Sequence, residues 1–347
     1  MVRSHNVGAD CGWLTVVPRV IQRYAQVNGV RLRLTEAGPT DGPVVVLAHG
    51  FPELAFSWRR QIPVLAAAGY RVLAPDQRGY GGSSVPPEAQ SYDITSLTGD
   101  LIGLLDEVGA EQAALVGHDW GAVVAWSAAL LHPDRVAAVA GLSVPPVPRP
   151  LTAPTAAFRR IIGDGFFYIL YFQQPGILYF QQPGPADAEM DGDPRRALRR
   201  MLAGMRAPGP GEEESALRML APGPEGFIER LPEPAELPDW LSEDELDTYV
   251  NEFTRTGFTG ALNWYRNFDR NWQIMGDAGQ TIAVPALFVG GTADPALAFI
   301  RIDRADEVAV GPYQQVMLEG AGHWIQQERP DEVNSELLAF LARVRWR

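Results

Sequence analysis

The sequence predicts an open, mostly parallel, doubly wound α/β sheet interrupted by an inserted helical cap. Three observations carry this. Continuous apolar runs suited to strands covered on both faces alternate with helical stretches, early in the chain and again near its end. One such run, Ala113-Ala114-Leu115-Val116, passes into Gly117-His118-Asp119-Trp120-Gly121-Ala122 and then a helix. That small-x-acid-x-small-small turn is a nucleophile elbow, which lifts one side chain above a sheet at a helix N-terminus. Finally, the proline-dense Val144-Pro145-Pro146-Val147-Pro148-Arg149-Pro150 ends the strand rhythm, because proline at this density forbids helix and central strand.

The elements follow in order. Residues 1–20 read as a poorly ordered N-terminal extension. Gln22 to Glu36 alternates around Asn28-Gly29, the signature of a hairpin. Pro43 to Ala48 is a buried strand leading into His49-Gly50-Phe51-Pro52-Glu53, with a cis bond expected before Pro52. Ser57 to Ala68 reads as a helix ending near Gly69, and Arg71 to Ala74 as the next strand. A glycine-rich loop, Pro75 to Ser84, precedes a helix over Ile94 to Val108. The elbow strand and helix come next, then a strand over Val136 to Leu142. From about 146 to 280 the chain is helical and aromatic in patches, without parallel-strand runs. The α/β pattern resumes with strands at Ala286–Val289 and Tyr313–Leu318 and a helix over Pro330 to Val344. The expected organisation is a sheet domain in two segments, 21–145 and 281–347, with 146–280 as the cap.

A net charge of −13 argues against nucleic acid or an anionic membrane as partner. Cys11 is the only cysteine, which excludes an intrachain disulfide and a cysteine-based metal site. The first twenty residues hold no sustained apolar run, so neither a secretion signal nor membrane insertion is read, and a cytoplasmic protein is expected. The sequence does not set the oligomeric state, and a homodimer is compatible with it. One oddity is a perfect tandem repeat, Ile169–Gly176 followed by Ile177–Gly184, too short for a solenoid and read as a local insertion.

The chemistry starts from Asp119. A histidine base is sought after it in the chain, with an acid to orient that histidine. Of five histidines, His323 in Gly320-Ala321-Gly322-His323-Trp324 follows the last strand, where a glycine turn can reach a cavity. His118 is expected to point back into the core. Asp294, just past the strand Ala286–Val289, is the acid, although an acid before proline also suits an Asx turn. The other place for an acid, after Leu142, offers only Ser143-Val144-Pro145-Pro146. A carboxylate nucleophile is weak towards esters and amides but displaces leaving groups at sp³ carbon. It forms an alkyl ester that water, activated by His323, hydrolyses at the aspartyl carbonyl. Serine would form an ether that water cannot readily cleave. The electrophile is therefore an epoxide or an alkyl halide. The N–H groups of Trp120 and Phe51 are the expected oxyanion-hole donors.

From about Ile21 onward the chain resembles the soluble-type epoxide hydrolases of the α/β-hydrolase fold. The elbow alone fits haloalkane dehalogenases equally, which use the same Asp nucleophile, whereas His49-Gly50-Phe51-Pro52-Glu53 leans towards epoxide hydrolases. The resemblance implies two cap tyrosines that protonate the opening epoxide: Tyr265, in Gly260-Ala261-Leu262-Asn263-Trp264-Tyr265, and Tyr168, three residues before Tyr171-Phe172-Gln173. Aligned from the second repeat copy instead, the latter position becomes Gly176. These tyrosines also suit plain packing among cap aromatics. Phe51, Pro52, Trp120, Phe167 and Trp324 are the expected substrate contacts. The implied partners are a small apolar epoxide and water, with no metal and no cofactor. A non-catalytic ligand-binding protein on the same fold is the alternative from a different class.

Overall fold

The computed structural model describes residues 19–174, 184–205 and 219–346. The first twenty-residue extension, apart from its last two residues, and most of the second repeat copy lie outside these.

Eight strands form one sheet: β1 (Ile21–Val27), β2 (Val30–Ala37), β3 (Val44–Ala48), β4 (Arg71–Pro75), β5 (Ala113–His118), β6 (Val136–Leu142), β7 (Ala286–Gly291) and β8 (Tyr313–Leu318). Their spatial order is β1-β2-β4-β3-β5-β6-β7-β8. The first two pairings, β1 with β2 and β2 with β4, are antiparallel, and all others are parallel. The hairpin turn sits where the sequence puts it. Asn28 and Gly29 have φ of 45° and 77°, the pair of positive angles that a tight two-residue turn needs.

The parallel strands divide their side chains between two cores by their period of two. In β3, Val45 and Leu47 face helix α1 (Ile62–Ala67) and the final helix, Pro330–Leu341. Val46 and Ala48 face α2 (Ile94–Val108) and α3 (Trp120–Leu131). Helix α2 has the bounds its spacing predicts. Asp93 caps it by accepting from the Ser96 N–H at 2.9 Å, and Gly109 ends it at φ 71°.

One helix differs from expectation. Ser57 to Ala68 is not continuous: a 3₁₀ turn over Ala55–Trp58 is followed by a bend, and only then by α1. Pro63 explains the break, because its missing N–H and its ring are tolerated in a first turn but not in a helix interior.

Among the described residues every named element between β6 and β7 is a helix, and one isolated parallel bridge joins Ile282 to Ala309. These helices are fastened to strand β2 and to the loops around the sheet by polar contacts. Arg59 Nε pairs with Glu245 Oε1 at 2.7 Å, Arg33 Nη1 with Glu252 Oε1 at 2.5 Å, and Trp264 Nε1 donates to the Arg78 carbonyl at 3.0 Å. Among the described residues no helix is long and apolar enough to cross a membrane.

Candidate active site

Asp119 occupies the turn between β5 and α3 with φ 50° and ψ −119°. L-residues seldom adopt such angles, and the crowding around the turn enforces them. A Cβ on Gly117 would collide with the Gly121 carbonyl, and one on Gly121 with the Ala48 carbonyl. The small residues of the elbow are therefore required by backbone approach.

The Asp119 carboxylate lies between two kinds of neighbour. Its Oδ1 accepts the Phe51 N–H at 2.8 Å, and the neighbouring Trp120 N–H also favours the charged carboxylate. Its Oδ2 faces His323 Nε2 at 3.8 Å. The side chain keeps 19% of its surface exposed, against 2% for His323 and none for Asp294. Burial raises the Asp119 pKa, against the pull of His323, His118 and the two amides.

His323 turns its other nitrogen to Asp294. Nδ1 lies 3.0 and 2.9 Å from the two carboxylate oxygens. Burial disfavours the imidazolium, but Asp294, then Asp119 and Glu53, outweigh it and hold the group at about 9. The Asp294 backbone follows β7, and its Oδ1 also accepts the Ala296 N–H at 2.8 Å. The Asx turn and the histidine contact thus coexist.

Tyr168 and Tyr265 approach from the helical segment. Tyr168 opens helix Tyr168–Phe172, and Tyr265 closes helix Thr259–Tyr265. Their rings lie 6.2 Å apart, and that of Tyr265 is 5.4 Å from Phe51 and 5.2 Å from Trp120. Burial raises both phenol pKa values, and the Asp119 charge raises them further. Both phenols thus stay protonated while Asp119 is ionised. The Phe51–Pro52 peptide is cis, and both residues are buried. Phe167 packs on Tyr168 at 5.3 Å and on Phe299 at 5.6 Å, between ring centroids.

Trp324 packs against His323. It is fully buried, with its ring 4.8 Å from that of His323 and 5.7 Å from that of His118. Its backbone N–H donates to Glu328 Oε1 at 2.9 Å.

The sequence reading also missed a buried polar group beneath the site. His118 points into the core as expected, but its Nδ1 meets Glu53 Oε2 at 2.6 Å and its Nε2 donates to the His323 carbonyl at 2.8 Å. Glu53 further accepts from the Gly50 N–H at 3.0 Å, Gln326 Nε2 at 2.8 Å and Gln327 Nε2 at 3.1 Å. One carboxylate thus ties together the Phe51 turn, the elbow and the His323 loop. The only signal for it was the acid closing His49-Gly50-Phe51-Pro52-Glu53.

Comparison with known proteins agrees with this geometry. Residues 43–168 match the alpha/beta hydrolase fold family. Epoxide hydrolase A of Mycobacterium tuberculosis is 64% identical over 327 residues, covering 94% of this chain and 98% of that protein. Bifunctional epoxide hydrolase 2 of Mus musculus is 38% identical over 95% of this chain and 55% of its own length. The crystal structure of epoxide hydrolase A from Mycobacterium thermoresistibile superposes with a TM-score of 0.90 at 63% identity, covering 95% of this chain and all of that one. An epoxide hydrolase from an endophytic Streptomyces superposes at 0.86 with 41% identity, over 93% of this chain and 95% of its own. By identity at this level over nearly its whole length, the chain belongs to the epoxide hydrolases of the α/β-hydrolase fold.

Proposed function

We propose that the protein adds water to an apolar epoxide, giving a vicinal diol, through an alkyl ester on Asp119. The observation that carries this is the division of the Asp119 carboxylate. Oδ1 is held by the Phe51 N–H, which leaves Oδ2 as the nucleophile on the side of His323. Residues 146–280 act as a cap that brings Tyr168 and Tyr265 over the core formed by 21–145 and 281–347.

Oδ2 attacks an epoxide carbon, the ring C–O bond breaks, and the alkoxide takes a proton from Tyr265 or Tyr168. Esterification removes the Asp119 charge that helped hold the proton on His323, and that proton resupplies the tyrosine. Neutral His323, oriented by Asp294, then takes a proton from water as it attacks the ester carbonyl carbon. The oxyanion forms on Oδ1, where the Phe51 and Trp120 N–H groups stabilise it. Collapse expels the diol oxygen, which takes the second proton of the attacking water, and so leaves the carboxylate and the imidazolium. A displaced halide would need no proton, so two protonated phenols facing the nucleophile favour an epoxide.

The test is trapping. A His323→Gln variant mixed with an apolar epoxide is expected to gain the mass of the epoxide on the peptide bearing Asp119. Failure to alkylate Asp119 across a panel of epoxides that the parent enzyme turns over would overturn the mechanism.

A further inference from the structure

The loop Gly320-Ala321-Gly322-His323 has little side-chain substance with which to hold an imidazole in place. Its main chain is held by other segments. Glu328 Oε2 accepts the Gly322 N–H at 2.7 Å, and Glu328 Oε1 accepts the Trp324 N–H at 2.9 Å. The two oxygens of one carboxylate therefore take the amides on either side of His323. The His323 N–H itself reaches the Met205 carbonyl at 3.3 Å. The His323 carbonyl accepts from Ser143 Oγ at 2.6 Å and His118 Nε2 at 2.8 Å.

We propose that Glu328 is a positioning residue for ester hydrolysis, strapping the N–H groups of the residues before and after His323 so that Nε2 stays aimed at Asp119. This rests on the reading of His323 as the water-activating base. Glu328 bonds the loop's backbone and not the catalytic side chains, so it acts only through the loop. The strap requires a carboxylate. Two N–H donors need an acceptor at each oxygen, and an amide would set its own NH₂ against one of them. Its effect should fall on one step. Alkylation needs the Asp119 carboxylate and the tyrosines. Hydrolysis needs Nε2 held within reach of a water on the ester carbon, and small misplacements of a reacting group are costly.

The experiment measures the two steps separately, by rapid quench and mass analysis of the Asp119 ester, in Glu328→Gln and Glu328→Asp. For Glu328→Gln the expected result is ester formation within about twofold of the parent and ester hydrolysis slowed about tenfold or more. Glu328→Asp keeps two acceptor oxygens on a shorter arm, and should show the same selective slowing to a smaller extent. Should Glu328→Gln fail to fold, Glu328→Asp carries the test alone. Hydrolysis at the parental rate, or both steps slowed equally, would overturn the proposal. His323→Gln separates the two ideas. If it never accumulates ester, the assignment of the base fails; if it accumulates ester while the Glu328 variants hydrolyse normally, only the strap fails.

Discussion

Glu53 Oε2 lies 2.6 Å from His118 Nδ1, and neither side chain has any exposed surface. Removing one partner of such a buried pair leaves the other's polar atoms unpaired, which is costly. Burial opposes the Glu53 carboxylate, but the charge and hydrogen bond of His118, with the Gly50 N–H, hold its pKa at about 2.

Glu53→Gln is therefore expected to lower stability by about 3–5 kcal/mol in urea unfolding near neutral pH. The depressed pKa sets the sign of the pH effect. The contribution is present above the ordinary carboxylate value and is lost as pH falls through about 2. The stability gap between parent and variant should narrow on acidification, and a constant gap would contradict an ionised Glu53.

His323 carries the opposite sign. Its pKa is raised to about 9, so the stability it adds is full below the ordinary histidine value of 6.5 and fades as pH rises through about 9. Part of that rise comes from Asp119. In Asp119→Asn the His323 pKa should fall, read from imidazole nitrogen shifts by NMR. An unchanged value would mean that Asp294 alone sets it.

Tyr265→Phe keeps a ring against Phe51 and Trp120 and removes only the hydroxyl. Alkylation of Asp119 is expected to slow by about 10²-fold, the usual scale for losing a general acid. Tyr168→Phe should slow it as well, and the double variant should lose more than either. Equal rates in parent and double variant would remove the tyrosines from the chemistry.

Gly121→Ala tests the elbow. The added carbon would meet the Ala48 carbonyl, which is backbone and cannot swing aside. A loss above about 2 kcal/mol, with activity lost, is expected in thermal unfolding and diol-release assays. Parental stability would show that the turn has slack.

Much of this was legible in the sequence because each piece is local. Asn28-Gly29 specifies its own hairpin, the helical spacing of Ile94 to Val108 marks α2, and Gly117 to Ala122 specifies the elbow. Asp119, His323 and Asp294 could each be found from a short motif at a strand's end. The missing parts depend on distance in the chain. Glu53 meets His118 across 65 residues and Gln326 across 273, and no local pattern marks such partners. The break before α1 was the one error that a stricter reading of Pro63 would have avoided.

The hold of the Phe51 N–H on Asp119 Oδ1 gives the two carboxylate oxygens different histories. Oδ2 departs with the diol, and an oxygen from water takes its place. Oδ1 stays in its cradle of amides, turnover after turnover. Enzyme cycled in heavy-oxygen water should thus retain one heavy atom on Asp119, not two, and the diol from its first turnover should carry none. The side chain that is rebuilt in every cycle would keep one original atom throughout.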